Sequence, residues 1–452
     1  MEDSRVEGGP SDRPAVGGEQ LHPIYEPKSA LERWLDQRLP ILRLNAELMD
    51  FPTPKNLNYW WTFGAILAFC LASQMITGIV LAMHYDPSAA GAFNSVEHVM
   101  RDVNYGWLIR YMHTTGVAMF FIAVYIHMLR GIYYGSFKAP REVLWLIGCA
   151  IYVVMMATAF TGYVLPWGQM SFWAAKVITN IFTAIPVIGK PITTWLWGAF
   201  TVDSPTLNRF YALHYLLPFV ITALVGLHIW ALHVPGNNNP VGVDVKSKSD
   251  TLPFHPYYTV KDAFAIALFL ILFAMFVFYM PGAFLAPNNS IPANPIVTPP
   301  QIVPEWYFLP YYAILRAIPD KLMGAIALFG AIACLFALPW LDTSKVRSMR
   351  YRPKARLYFA IFVVVCLALG WCGSSEPDAR LLPSVARFTL FDSDINSVVW
   401  LSRLLTAYYF SYFLLIVPIT GWRETPRPVP DSISTPVLRP DTTPAHGGGR
   451  VT

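Results

Sequence analysis

The sequence predicts an all-α integral membrane protein with eight spanning helices, and three observations carry that prediction. Charged residues make up 13% of the 452-residue chain and hydrophobic ones 55%, whereas soluble domains carry about 25% charge. Mean hydropathy is +0.42. Eight apolar stretches are each long enough to cross roughly 30 Å of hydrocarbon at ~1.5 Å per residue. This composition excludes intrinsic disorder, a collagen-like fibre and a disulfide-stapled secreted domain. Cys70, Cys149, Cys334, Cys366 and Cys372 form no C-x-x-C pattern, which argues against thiolate-bound metal clusters.

The elements follow in order. Residues 1–56 read as a polar N-terminal extension. Within it, 1–30 have a disordered composition rich in Gly, Pro, Ser and Glu, and no basic stretch precedes a short apolar one as a cleavable signal would require. Residues 31–56, with Leu31, Trp34, Leu35 and Leu39 set among charges, read as an amphipathic helix lying on the membrane. The spans fall near 57–83 (α1), 106–134 (α2), 143–166 (α3), 208–234 (α4), 259–280 (α5), 321–340 (α6), 355–372 (α7) and 398–420 (α8). A four-helix bundle of α1–α4 thus occupies 57–250, a C-terminal membrane domain of α5–α8 occupies 251–425, and a polar tail fills 426–452. The α3–α4 and α5–α6 loops are long and rich in Pro and aromatics (Ile181 to Pro191; Pro281 to Pro319), so short surface helices are expected there. Long structured loops usually carry function.

The net charge of +5 is explained by topology rather than by nucleic acid, because no basic tract is interleaved with stacking aromatics in a soluble setting. Lys138 and Arg141 lie between α2 and α3, Lys246 and Lys248 between α4 and α5, and Lys345, Arg347, Arg350, Arg352, Lys354 and Arg356 around the α6–α7 loop. The alternate loops are poorer, with Arg101, then Lys176 and Lys190, then Arg316, then Arg380 and Arg387. Basic loops stay on the cytoplasmic side, so both termini are expected there, in a bacterial inner membrane.

Two helices carry paired histidines, His113 and His127 on α2, and His214 and His228 on α4. Each pair is fourteen residues apart, and fourteen steps of ~100° come within roughly 40° of whole turns, with ~21 Å between the two levels. Each helix therefore shows two imidazoles on nearly one face. Because α2 and α4 run in the same direction, His113 can face His214 at one level and His127 can face His228 at the other. Such stacked bis-imidazole sites suit two non-covalent b-type haems. A single membrane histidine more often belongs to a hydrogen-bonded core or a proton path; two pairs with identical spacing favour haem. Gly64 and Gly78 on α1, and Gly148 and Gly162 on α3, repeat the same interval and would let backbones approach a flat macrocycle. Arg110 lies three residues before His113 and Arg130 three after His127, placed to pair with haem propionates. Arg130 also reads as an ordinary interfacial anchor.

With these residues in hand, the chain resembles cytochrome b of the cytochrome bc1 complex, ubiquinol–cytochrome c oxidoreductase, over roughly residues 40–425. The most specific marks are the histidine pairs, Gly162-Tyr163-Val164-Leu165-Pro166-Trp167-Gly168 and Pro304-Glu305-Trp306-Tyr307. Asn237-Asn238-Asn239-Pro240 and Leu207-Asn208-Arg209-Phe210 add to them. The resemblance implies two quinone sites, a homodimeric complex in the bilayer, a Rieske-type iron–sulfur protein and cytochrome c1 as partners, and ubiquinol and ubiquinone as substrates. It places quinol oxidation between the end of α3 and the α5–α6 loop, with Glu305 taking a quinol proton and Tyr163 and Tyr312 lining the pocket. Burial in an apolar setting would raise the Glu305 pKa and suit it to general-base work; capping of the turn after Pro304 is the other reading. The resemblance places quinone reduction at the inner side, where His233 and Asp262 would hydrogen-bond the ring carbonyls beside Lys261 and Asn237. Taken without it, His233 and Asp262 are helix-end residues at the interface. His84, His98 and His255 read as surface residues.

Two other readings compete with this one. A proton-coupled transporter using histidine relays predicts broken helices and inverted internal symmetry, and the sequence shows neither. A haem scaffold that only passes electrons leaves Glu305 and the His233/Asp262 pair without a role.

Overall fold

The computed structural model describes residues 25–434 apart from 383, 385–387, 391 and 392. The disordered composition expected of 1–24, Arg387 and the tail beyond 434 therefore lie outside the described residues. Among the described residues, eight helices are long and apolar enough to cross a membrane. They are α1 (Phe63–Ala82), α2 (Gly106–Tyr134), α3 (Glu142–Val164), α4 (Ser204–His233), α5 (Tyr257–Tyr279), α6 (Lys321–Leu341), α7 (Pro353–Ser374) and α8, which runs from Val398 to Arg423 through a π-helical turn at Tyr412–Ile416. The protein is an integral membrane protein.

Local chemistry sets the helix ends. Gly135, at φ 65°, closes α2 in a left-handed conformation that glycine adopts without strain. Asp203 and Thr206 form a reciprocal cap at the start of α4, with Pro205 in its first turn. The Asp320 carboxylate accepts the Met323 amide at 2.8 Å to open α6. The start of α7 is capped from a distance, because Glu424 accepts the amides of Lys354 at 2.6 Å and Ala355 at 3.3 Å, where the helix dipole favours an anion.

In the first half, α1 packs on α2 and α3 on α4. Large apolar side chains on α4, including Leu227 and Trp230, remain exposed, as a lipid-facing surface requires. The second half is joined to the first by directed bonds, such as Trp145 Nε1 to the Leu335 carbonyl at 2.7 Å.

Both described ends of the chain lie on one face, here called the terminal face. Pro52–Pro54 pair antiparallel with Thr251–Pro253, the Arg427 amide donates to the Tyr351 carbonyl at 2.8 Å, and the Ser434 hydroxyl donates to Asp250 at 2.5 Å. The α1–α2, α3–α4, α5–α6 and α7–α8 loops form the opposite, far face.

Three expectations need correction. The single amphipathic helix over 31–56 is two short helices, Ala30–Asp36 and Ile41–Met49, followed by the strand at Pro52–Pro54. Pro40 separates the helices, since it cannot donate to a preceding turn. The loop helices are not merely superficial. In Gln169–Asn180 the residues Gln169 to Ala175 are all buried, and in Leu309–Ala317 Ala313 and Ile314 are fully buried. Leu309–Ala317 is too short to span, and it packs against α6, α7 and α8. Finally, several loop cations do not face water: Lys138, Arg141 and Arg352 are buried. Asp342 accepts from Lys138 Nζ at 3.0 Å and from Arg352 at 2.7 Å. Burial pushes the Lys138 ammonium down to about 8, with Asp342 opposing the shift.

Candidate functional site

The four histidines come together in the pairs that their spacing anticipates. The His113 and His214 rings are 6.1 Å apart, centroid to centroid, and nearly perpendicular at 84°. The His127 and His228 rings are 6.5 Å apart at 57°. A metal bonded to two imidazoles at about 2 Å each places the ring centroids roughly 6 Å apart, so both pairs leave room for one ion between them.

The other ring nitrogens are engaged where partners exist. His214 Nδ1 meets the Thr158 carbonyl at 2.8 Å; a carbonyl only accepts, so Nδ1 carries the proton and Nε2 is free as a ligand. His113 Nδ1 meets the Thr77 hydroxyl at 2.9 Å.

Each of the four glycines faces one of the four histidines. A Cβ on Gly78 would stand 3.0 Å from Cε1 of His113, and one on Gly162 would stand 2.3 Å from Cε1 of His214. At the other level the distances are 3.8 Å from Gly64 to His127 and 3.1 Å from Gly148 to His228. Only a residue without Cβ fits at Gly162, while at Gly78 and Gly148 the imidazole would have to give way by a few tenths of an ångström.

His113 and His214 line a cleft of about 150 Å³. Apolar walls such as Ile79, Leu165 and Phe219 line it, together with Arg110. The Arg110 guanidinium makes no hydrogen bond among the described residues. Arg130 donates to Ser136 Oγ at 3.3 Å and points at His127 Nδ1 from 3.2 Å, while its buried Nε has no partner among them. Arginine only donates, so that contact needs an unprotonated Nδ1, whereas a metal on Nε2 leaves the proton on Nδ1. A ligated His127 therefore turns Arg130 toward another acceptor.

On the far face, Glu305 precedes the short turn Trp306–Phe308 and its side chain does not cap it. Burial pushes the Glu305 carboxyl up to about 7, and the facing Tyr163 hydroxyl pulls it partly back. Tyr163 and Glu305 are thus brought together. Tyr312 is not part of that contact; its hydroxyl donates to the Ile302 carbonyl at 3.2 Å and its ring lies under the Arg316 guanidinium at 4.5 Å. It holds the loop that carries Glu305.

On the terminal face, His233 Nδ1 donates to the Ile229 carbonyl at 2.7 Å, which leaves Nε2 uncommitted. Phe51 packs edge-on against its ring at 4.4 Å, a neighbour supplied by the N-terminal segment that sequence reasoning missed. Asp262 is half-buried. Neighbouring Lys261 is committed to structure, donating to the Leu57 carbonyl at 2.6 Å and lying 4.8 Å from the centre of the Tyr59 ring. Within the Asn run, Asn238 and Asn239 are buried and bonded to Tyr134 and Val243 carbonyls, whereas half-buried Asn237 makes no hydrogen bond among the described residues. His84, His98 and His255 are exposed, as expected.

Known proteins can now be set beside this geometry. A family model described as cytochrome b/b6/petB matches residues 48–236, and one described as cytochrome b(C-terminal)/b6/petD matches 292–391. A cytochrome b from Rhodospirillum rubrum is 57% identical over 406 residues, covering 90% of this chain and 96% of that protein. A cytochrome b from Rhodobacter capsulatus is 53% identical over 436 residues, covering 91% and 96%. A Bradyrhizobium diazoefficiens protein named cytochrome b/c1 is 57% identical over 415 residues; the match takes in 92% of this chain but 58% of that longer protein. A solved chain titled "Hyperthermophilic respiratory Complex III" superposes with a TM-score of 0.78 at 35% identity, covering 86% of this chain and 98% of that one.

Proposed function

The chain belongs to the cytochrome b family, and on that premise we propose that it is the quinol-oxidising membrane subunit of a respiratory quinol–cytochrome c oxidoreductase in a bacterial inner membrane. The observation that carries this reading is the pair of facing histidine couples, each backed by glycines. His113 with His214, and His127 with His228, would hold two non-covalent b-type haems, with Arg110 and Arg130 placed for their propionates. When bound, the haems supply one-electron centres at two depths of the bilayer, so that charge can cross it.

The chain's own residues handle protons and position. At the far face Glu305, with its pKa near neutrality, accepts a quinol hydroxyl proton and releases it to water. Tyr163 orients that carboxylate, and Tyr312 fixes the loop behind it. At the terminal face His233, with Nδ1 bonded to the Ile229 carbonyl, offers Nε2 to one oxygen of the quinone ring. Asp262 serves the other carbonyl, Lys261 shapes the wall through its bond to Leu57, and Asn237 offers a free amide.

The distribution of Lys and Arg supports a cytoplasmic terminal face, with both termini there. A Rieske-type iron–sulfur protein and cytochrome c1 are the partners at the far face, and the complex is a homodimer. Proton-coupled transport is not supported, because family membership and the facing histidines both point to electron transfer.

The test is a dithionite-reduced spectrum with haem quantification on the purified complex. Two spectrally distinct b haems per chain are expected. One haem or none would overturn the assignment of the four histidines.

A further inference from the structure

The segment that carries Glu305 has no regular structure before the turn at Trp306–Phe308, yet it is held from two helices. On α2, Phe121 stacks face to face on the Tyr307 ring, with centroids 3.9 Å apart at 2°. One turn later on the same helix, the Tyr125 hydroxyl donates to the Tyr307 carbonyl at 2.5 Å. That hydroxyl lies 3.1 Å from the Tyr152 hydroxyl of α3, which donates in turn to Tyr311 Oη at 3.1 Å. Tyr311 sits on the helix just after the turn. Phe121, Tyr152, Tyr307 and Tyr311 are all buried. A buried carbonyl needs a partner, and among the described residues Tyr125 supplies the side-chain hydrogen bond that ties the Tyr307 carbonyl to another element.

We propose that Tyr125 is a positioning residue for quinol oxidation, its hydroxyl clasping the Glu305-bearing segment to the helix that carries His113 and His127. The proposal rests on the reading of Glu305 as the proton acceptor. The Tyr125 hydroxyl meets Tyr307 and Tyr152 rather than Glu305 itself. It acts through Tyr307, two residues from Glu305, and so keeps the half-buried carboxylate at a fixed place relative to His113 and His127. Tyr152 and Tyr311 form the second grip, on the far side of the same turn. The titratable groups facing Glu305 are Tyr163 from α3 and Tyr307 from its own segment.

The experiment compares Tyr125→Phe, Tyr152→Phe, Glu305→Gln and the Tyr125→Phe/Glu305→Gln double variant in the assembled, haem-loaded complex. Loss of one clasping hydrogen bond should lower the rate of quinol oxidation roughly tenfold, with little change in KM and with both haem spectra intact. Water admitted to the loosened loop would let the carboxyl titrate closer to its ordinary value, so the acid limb of the pH profile should move to lower pH. A role in stability alone would reduce the amount of assembled complex without moving that limb. The double variant should be no slower than Glu305→Gln alone.

Should Glu305→Gln leave the acid limb in place, the Glu305 reading fails, whatever Tyr125→Phe does. Should Glu305→Gln remove it while Tyr125→Phe and Tyr152→Phe leave rate and limb unchanged, the clasp is overturned. If Tyr125→Phe does not assemble, Tyr152→Phe decides the matter by the same two readouts. If neither assembles, the hydroxyls are purely structural and the proposal falls.

Discussion

Gly162 on α3 and His214 on α4 meet with no room for a carbon between them: a Cβ on the glycine would stand 2.3 Å from Cε1 of the imidazole. Overpacking in a filled interior costs about 1–3 kcal/mol and moves side chains, and here the side chain that must move is a proposed ligand. Gly162→Ala is therefore expected to remove or shift the spectrum of the His113/His214 haem. Gly64→Ala, with 3.8 Å to His127, should leave the other haem nearly unchanged. Difference spectra of the two variants check the contrast.

His228→Leu should eliminate one haem and spare the other, because its only proposed partner is His127. Haem content per chain should fall from two to one. The remaining component should still be reduced by quinol in a single turnover, which stopped-flow absorbance can follow.

The Glu305 carboxyl, pushed by burial from its ordinary value of 4.5 up to about 7, sets a pH dependence whose sign is fixed. As a base it works only when ionised, so quinol oxidation should decline as pH falls through about 7. Glu305→Gln should be slow at every pH and lack that limb. The same shift acts on stability in the opposite sense. The carboxyl's contribution is complete below pH 4.5 and is lost as pH rises toward about 7.

Asp342 holds two buried cations, Lys138 and Arg352, and all three side chains are less than a tenth exposed. Replacing it with Asn leaves Lys138 without a carboxylate and Arg352 with Glu424 alone, at 3.6 Å, and breaking a buried ion pair this way costs about 3–5 kcal/mol. Asp342→Asn should lower the thermal midpoint of the detergent-solubilised complex and its yield. Haem spectra of the surviving fraction should stay normal.

The spans and the histidine pairing were legible because both are periodic: a run of apolar residues long enough to cross, and a fourteen-residue interval that returns to the same helix face. The glycine interval was legible for the same reason, although which histidine each glycine meets depends on how α1 lies on α2 and α3 on α4. The depth of Leu309–Ala317 was not legible, since nine residues fall below any span length and only packing against α6, α7 and α8 buries them. Nor was the fate of Lys138, Arg141 and Arg352. In sequence they are indistinguishable from solvated loop cations, and their partners Asp342, Gly236 and Glu424 are distant along the chain. Tyr125 and Tyr152 escaped notice among 23 tyrosines because nothing local singles them out. Phe51 was missed because its position beside His233 follows from the pairing of Pro52–Pro54 with Thr251–Pro253.

That short pairing does more than place one phenylalanine. With Pro52 opposite Pro253, the first four membrane helices close into a ring whose beginning and end are neighbours, and the remaining four begin only beyond that closure. The ring can be latched as soon as the ribosome has delivered residue 254, before α5 has emerged. The four facing histidines all lie inside that closure, so their pairing draws on no residue of the second half.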